Sequence, residues 1–200
     1  MPAPVEFYFD FSSPYGYLAS TRIDRLCQNH GRAVGWHPIL LGVVFKEIGG
    51  APLTAIPLKG EYSKRDFARS AAFHGIKFKV PPVFPIPTQQ AARAFYWVQQ
   101  QNPGAAKALA KKLFEAYFAE ELNISGAETV ADIAASLGHD KVALLAALND
   151  PAIKDRLRQE CQAALWKGVF GSPFIVVDGE PFWGSDRLDQ VDKWLETGGW

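Results

Sequence analysis

The chain has 200 residues, enough for one domain with a sizeable core. Hydrophobic residues make up 48% and aromatics 13%, which excludes a disordered chain. Lys+Arg and Asp+Glu number 21 each, giving a formal net charge of zero, and this balance argues against a nucleic-acid partner or a polybasic membrane anchor. The first element comes at once. Val5, Phe7, Phe9 and Phe11 alternate with Glu6, Tyr8 and Asp10, a period of two that predicts a strand of about six residues. The same N-terminal stretch has no basic n-region and carries Glu6 and Asp10, so a secretory signal is not expected and a cytoplasmic location is.

After Ser13-Pro14, apolar residues at Tyr15, Leu18, Ile23, Leu26 and Cys27 predict a helix ending near His30-Gly31. Val34 to Leu41 reads as a second strand interrupted by Pro38, so the opening is β-α-β with two parallel strands and a right-handed crossover. From Gly42 to Ser63, with Gly49-Gly50, Pro52, Pro57 and Gly60, the pattern is irregular, and a loop this long inside a domain is usually functional or mobile. Helical pattern resumes from Lys64 to His74, followed by an extended proline-rich connector from Lys79 to Pro87. Thr88 to Lys167 is predicted almost wholly helical, with breaks at Asn102-Pro103-Gly104, Gly126, Gly138-His139-Asp140 and Asn149-Asp150-Pro151. Near the end, Phe174 to Val177 and Pro181 to Trp183 read as a hairpin turning at Asp178-Gly179, and Ser185 as the cap of a last helix through Leu188, Val191 and Leu195.

A β-α-β start, a helical middle and a β-β-α end describe an α/β thioredoxin-like fold with a large all-helical insertion. Residues 1–41 and 168–200 would form the thioredoxin-like part, and residues 42–167 the connecting loops and insertion. Cys27 and Cys161 are far apart, lack a C-x-x-C pattern and read as packed thiols in helices. His30, His37, His74 and His139 show no metal spacing and read as surface or structural.

Three features carry possible chemistry. Ser13-Pro14 is by itself an ordinary N-cap and N1 pair, yet a helix start after a strand presents free N–H groups that favour an anion such as a thiolate. Ser172-Pro173 precedes a strand, where a cis-proline would leave the backbone of Ser172 free to pair with an extended peptide. Trp183-Gly184-Ser185-Asp186 opens the last helix; its N–H groups and the Ser185 hydroxyl suit a carboxylate, and the Asp186 carboxylate suits an ammonium.

Together these resemble the kappa-class glutathione transferase and 2-hydroxychromene-2-carboxylate isomerase family, a branch of the DsbA-like thioredoxin superfamily. F-Y-F-D-F-S-S-P-Y-G-Y-L-A is similar to the family's opening D-x-x-S-P-[YF]-x-[YW]-L. G-V-F-G-S-P-F-I-V-V-D-G-E-P-F-W-G-S-D-R-L is similar to its closing segment. The resemblance implies glutathione as cofactor, a small aromatic substrate and a homodimer. It places Ser13 as the catalytic serine facing the glutathione sulfur and Ser172, before a cis-Pro173, along the glutathione backbone. Ser185 and Asp186 would hold the γ-glutamyl head group beside Trp183, and Lys59 would be a further glutathione contact. Gly50 departs from the asparagine of kappa-class relatives. DsbA-like oxidoreductases carry C-P-x-C where this chain has Ser13-Pro14-Tyr15-Gly16, so protein disulfide exchange is not expected. The implied chemistry is a thiolate that adds to the aromatic substrate, lets a bond rotate and leaves. Phe11, Tyr15, Phe45 and Phe84 are candidate walls of an apolar pocket. A transferase that keeps the conjugate, or a non-catalytic peptide-binding module, are the other readings the residues allow.

Overall fold

The computed structural model describes residues 2–200. Its strands are β1 (Val5–Phe9), β2 (Val34–Pro38), β3 (Phe174–Val177) and β4 (Glu180–Trp183), in the spatial order β2-β1-β3-β4. β1 and β2 run parallel from Val5↔Val34 to Phe9↔Pro38, as the β-α-β reading expects. β3 lies antiparallel to β1, with Tyr8 opposite Phe174, and β4 returns beside β3 through Asp178 and Gly179, both at positive φ as a tight hairpin demands. The two ends of the chain are thus welded at β1.

The crossover is two helices rather than one: α1 (Pro14–Ser20) and α2 (Ile23–Asn29). The break at Thr21-Arg22 has a local cause. The Ser20 hydroxyl donates to Tyr17 C=O at 2.7 Å and the Thr21 hydroxyl to Leu18 C=O at 2.8 Å, competing for the carbonyls that would carry the helix on. The second face of β1, carrying Glu6 and Tyr8 with Asp10 just beyond, is also largely covered. Tyr8 is 2% and Asp10 5% exposed, because helices cover both sides of the sheet. On one side Phe7, Phe9 and Trp36 pack with Phe95, Phe114 and α2, whose Asp24 accepts from Trp36 Nε1 at 3.1 Å. On the other, Glu160 of α9 (Pro151–Trp166) reaches His37 of β2.

The stretch expected to be irregular from Gly42 to Ser63 is largely helical. It holds α3 (Leu41–Ile48), a 3₁₀ turn (Leu53–Ala55) and the first residues of α4 (Lys59–Phe73). α3 has no local side-chain cap; the N–H of its first residue, Leu41, donates instead to the carboxylate of Asp10 at 2.7 Å. A cap supplied from 31 residues away leaves no mark in the neighbouring sequence. The rest of the helical middle breaks at the expected places: α5 (Gln89–Gln101), α6 (Pro103–Phe118) capped by Asn102, α7 (Ala127–Ser136) starting after Gly126, and α8 (Lys141–Ala147) capped by Asp140. α9 follows, capped by Asp150. Buried side chains run without a gap from the sheet into these helices.

The last helix, α10 (Leu188–Thr197), is preceded by a 3₁₀ turn, Ser185–Arg187. Ser185 sits inside that turn and caps neither element, contrary to the sequence expectation. Gly184, at φ 112, turns the chain out of β4 so sharply that the usual cap geometry is not reached.

Candidate active site

Ser13 closes the short loop from β1 into α1. Its backbone is extended (φ −96, ψ 113), Pro14 supplies the pre-set first helical residue, and the Ser13 hydroxyl oxygen accepts the Gly16 N–H at 3.0 Å. The same hydroxyl donates to the carbonyl of Ser172 at 3.0 Å. Ser172–Pro173 is a cis peptide bond, as expected from the sequence. The Ser172 hydroxyl oxygen in turn accepts the Asp10 N–H at 3.0 Å. Ser13, Ser172 and Pro173 therefore form one constellation, assembled from the two ends of the chain.

Gly16 stands where a C-P-x-C motif would carry its second cysteine. A Cβ built there would lie 2.9 Å from the Ser172 hydroxyl oxygen, so the space next to α1 is filled by Ser172. Neither sulfur of the chain compensates. Cys27 and Cys161 are buried, as expected, and burial first of all pushes their thiols up to about 12 and about 11.

The residues after β4 approach from the other side. Gly184 N–H donates to Pro173 C=O at 3.0 Å, which fixes the turn carrying Ser185 and Asp186 beside the cis-proline, and that turn packs on α1. Trp183 is 54% exposed and meets Phe170 edge-on with ring centres 4.9 Å apart. Asp186 pairs only with Arg187 at 3.3 Å on an open surface. Lys59 makes no side-chain hydrogen bond or ion pair with the other six candidates among the described residues. It is the exposed first residue of α4, whereas α4 meets α1 at Asp66 and Phe67, about 10 Å further along the axis. Gly50 follows the end of α3, and a side chain there would crowd Phe45, whose ring carbon lies 2.9 Å from the place of its Cβ.

Two groups around the site escape the sequence reading. Asp10 is one. Its carboxylate accepts Ser12 N–H at 2.8 Å, Leu41 N–H at 2.7 Å and the Thr88 hydroxyl at 2.8 Å. Burial raises its carboxyl above the ordinary value, against the opposing pull of those three donors. Three of its partners, Leu41, Thr88 and Ser172, lie 31 to 162 positions away, and that concealed it. Tyr15 is the other. Its hydroxyl donates to Asp66 at 2.5 Å, and Asp66 also pairs with Arg69. Burial first, then the Asp66 hydrogen bond, push the Tyr15 hydroxyl up, and the nearby charge of Asp186 adds to the rise. Tyr15 is therefore a fixed donor. Lys59, Tyr62, Asp66 and Arg69 follow helical spacing, but the sequence reading began that helix at Lys64 and so missed the face. Of the candidate aromatic walls, Phe11 is fully buried in the core, while Tyr15 and Phe84 are half-buried.

The fold and this constellation define the class. A family model described as a DSBA-like thioredoxin domain matches residues 4–196, and the chain belongs to that family. Within it, the chain is 31% identical over 191 residues to a 2-hydroxychromene-2-carboxylate isomerase of Pseudomonas putida, covering 94% of this chain and 92% of the relative. It is 29% identical over 205 residues to a glutathione S-transferase kappa 2 of Caenorhabditis elegans, covering 96% and 91%. A solved structure of 2-hydroxychromene-2-carboxylate isomerase superposes with a TM-score of 0.85 at 30% identity, over 96% of this chain and 94% of that one. No helix among the described residues is long and apolar enough to cross a membrane, and no group of three or more His, Cys, Asp or Glu among them is placed to hold a metal ion.

Proposed function

We propose that this protein is a glutathione-dependent isomerase of 2-hydroxychromene-2-carboxylate-type aromatic substrates, with Ser13 as the catalytic serine. The observation that carries this reading is the position of the Ser13 hydroxyl, at the start of α1 and against the cis-proline turn, with no sulfur at residues 13–16. Glutathione would supply what the chain lacks, a thiolate nucleophile that adds reversibly to the substrate.

The chain's own groups suit that ligand. Ser13 holds a hydroxyl proton that can turn from the Ser172 carbonyl to a sulfur. Ser172, before the cis-Pro173, offers backbone to an extended tripeptide. Asp186, on an open surface with one exposed partner, suits an ammonium; Ser185, engaged in no cap, offers its hydroxyl to a carboxylate beside Trp183. Lys59 forms no ion pair among the described residues and suits a second carboxylate if the tripeptide reaches α4. A homodimer in the cytoplasm is the setting this reading carries.

Incubation with glutathione and 2-hydroxychromene-2-carboxylate, followed by absorbance and by titration of free thiol, tests it. Isomerisation with thiol conserved is the expected result; absence of turnover with bound glutathione would overturn it. The kappa-class relatives favour a second reading, a transferase that keeps the conjugate. Stoichiometric loss of thiol in the same assay, or with a chlorinated aromatic, would select that reading.

A further inference from the structure

A cleft of about 500 Å³ opens between the 3₁₀ turn Leu53–Ala55, α4 and the proline-rich connector, within the range of about 300–1,000 Å³ usual for small-molecule sites. Its walls are apolar, from Pro52, Val80, Pro82 and Phe84, with Thr54 at one side. Lys64 is the one charged side chain among the described residues that line it. The shape depends on Gly60: a Cβ there would lie 2.7 Å from the Thr54 carbonyl oxygen, so a larger residue would push the turn off α4.

The cleft adjoins the Ser13 constellation through two links. Phe84 meets Phe67 at 6.2 Å, and Phe67 meets Tyr15 edge-on at 5.0 Å, two residues from Ser13. Pro85 also lines the cleft, and the next residue, Ile86, donates its N–H to the Ser12 hydroxyl at 3.1 Å.

We infer that this cleft seats the aromatic carboxylate substrate, its ring against the prolines and Phe84 and its carboxylate toward Lys64. An apolar slot with a single cation selects an aromatic monoanion over a neutral aromatic of the same size. The inference rests on the thiol-dependent reading above and adds the substrate seat and its charge preference. Glu61 tunes that preference. It pairs with Lys64 at 2.7 Å one helical turn away, so an incoming carboxylate competes with it.

The test is titration calorimetry on the full chain with saturating glutathione, using 2-naphthoate and its neutral analogue 2-naphthamide as probes. Wild type binds the naphthoate more tightly. Lys64→Met weakens naphthoate by about 2- to 5-fold and leaves the amide unchanged, as expected for a half-exposed ion pair. Glu61→Gln tightens naphthoate by about 2-fold, since it frees Lys64. Ala55→Phe, at an exposed position on the cleft wall, weakens both probes. The inference is overturned if naphthoate fails to bind wild type, if Lys64→Met leaves its affinity unchanged, or if Ala55→Phe changes neither probe. Failure of the isomerase reading looks different: chromene carboxylate is not turned over, while the naphthoate–amide discrimination persists.

Discussion

The Ser13 hydroxyl donates to the Ser172 carbonyl at 3.0 Å, across 159 positions of sequence. This bond joins the start of α1 to the cis-proline turn, and it holds the proton that a bound thiolate would have to claim.

Ser13→Ala removes both that proton and the acceptor for Gly16 N–H. Loss of one positioned donor to a charged reacting atom costs on the order of 10²-fold in kcat. Loss of the cap costs about 1 kcal/mol of stability. Glutathione affinity, read by calorimetry, is expected to stay within a few-fold of wild type, because the contacts proposed at Ser172, Ser185 and Asp186 are left intact. A variant with normal turnover would remove Ser13 from the chemistry.

Gly16→Ala drives a methyl into the Ser172 hydroxyl, and such overpacking costs about 1–3 kcal/mol. Ser172→Ala in the same chain should recover part of that loss, although it deprives Asp10 N–H of its acceptor. A thermal double-mutant cycle measures the coupling; purely additive effects would mean that the two side chains do not meet.

Tyr15→Phe breaks the bond to Asp66 that ties α1 to α4 and leaves a half-buried carboxylate with fewer donors. The expected loss is about 1–2 kcal/mol. Asp66 should then titrate closer to its ordinary value, since that bond is one of the contacts holding its carboxyl down. A carboxyl-carbon NMR titration of Asp66 that does not move on Tyr15→Phe would contradict the arrangement.

On the far face of the sheet, His37 lies 2.5 Å from Glu6 and 3.5 Å from Glu160. Burial alone would lower its pKa, but the two carboxylates outweigh burial and raise it above 6.5. The hydrogen bonds to His37 lower both Glu6 and Glu160 below 4.5, burial opposing them. A raised histidine stabilises fully below its unfolded value and loses the effect as pH rises through the folded one. Lowered carboxyls stabilise above their unfolded value and lose the effect as pH falls. The cluster is therefore most stabilising between about 4.5 and 6.5. His37→Gln is expected to cost about 1–3 kcal/mol at pH 5.5 and less at pH 8.5. Urea melts at both values would decide, and an equal loss at each would refute the linkage.

The sheet and most helix starts were legible because their signals are local. Asn102, Asp140 and Asp150 each cap a helix within three residues, and Phe174 to Val177 is bounded by a turn on one side and a proline on the other. α3 was hidden because its first N–H is satisfied by Asp10, a partner no window contains. Ser13-Pro14 and Ser172-Pro173 were each legible as a motif, and the cis bond was anticipated at the second. Their direct contact was not, since it depends on β1 and β3 lying side by side. The Tyr15–Asp66 pair stayed invisible because it joins α1 to α4 across 51 positions, a contact set by helix packing rather than by either local pattern.

Asp10 draws four segments to one point: the loop at Ser12, the head of α3, Thr88 before α5, and Ser172. The connectors between those segments, around residues 49–58 and 74–87, are the ones that build the cleft. Apart from the Ile86–Ser12 bond, change in those connectors meets the serine constellation, among the described residues, only through this junction and the aromatic contacts at Phe67 and Tyr15. A connector can therefore change length or composition between those anchor points while Asp10 keeps the loop before α1, the head of α3 and the cis-proline turn in register.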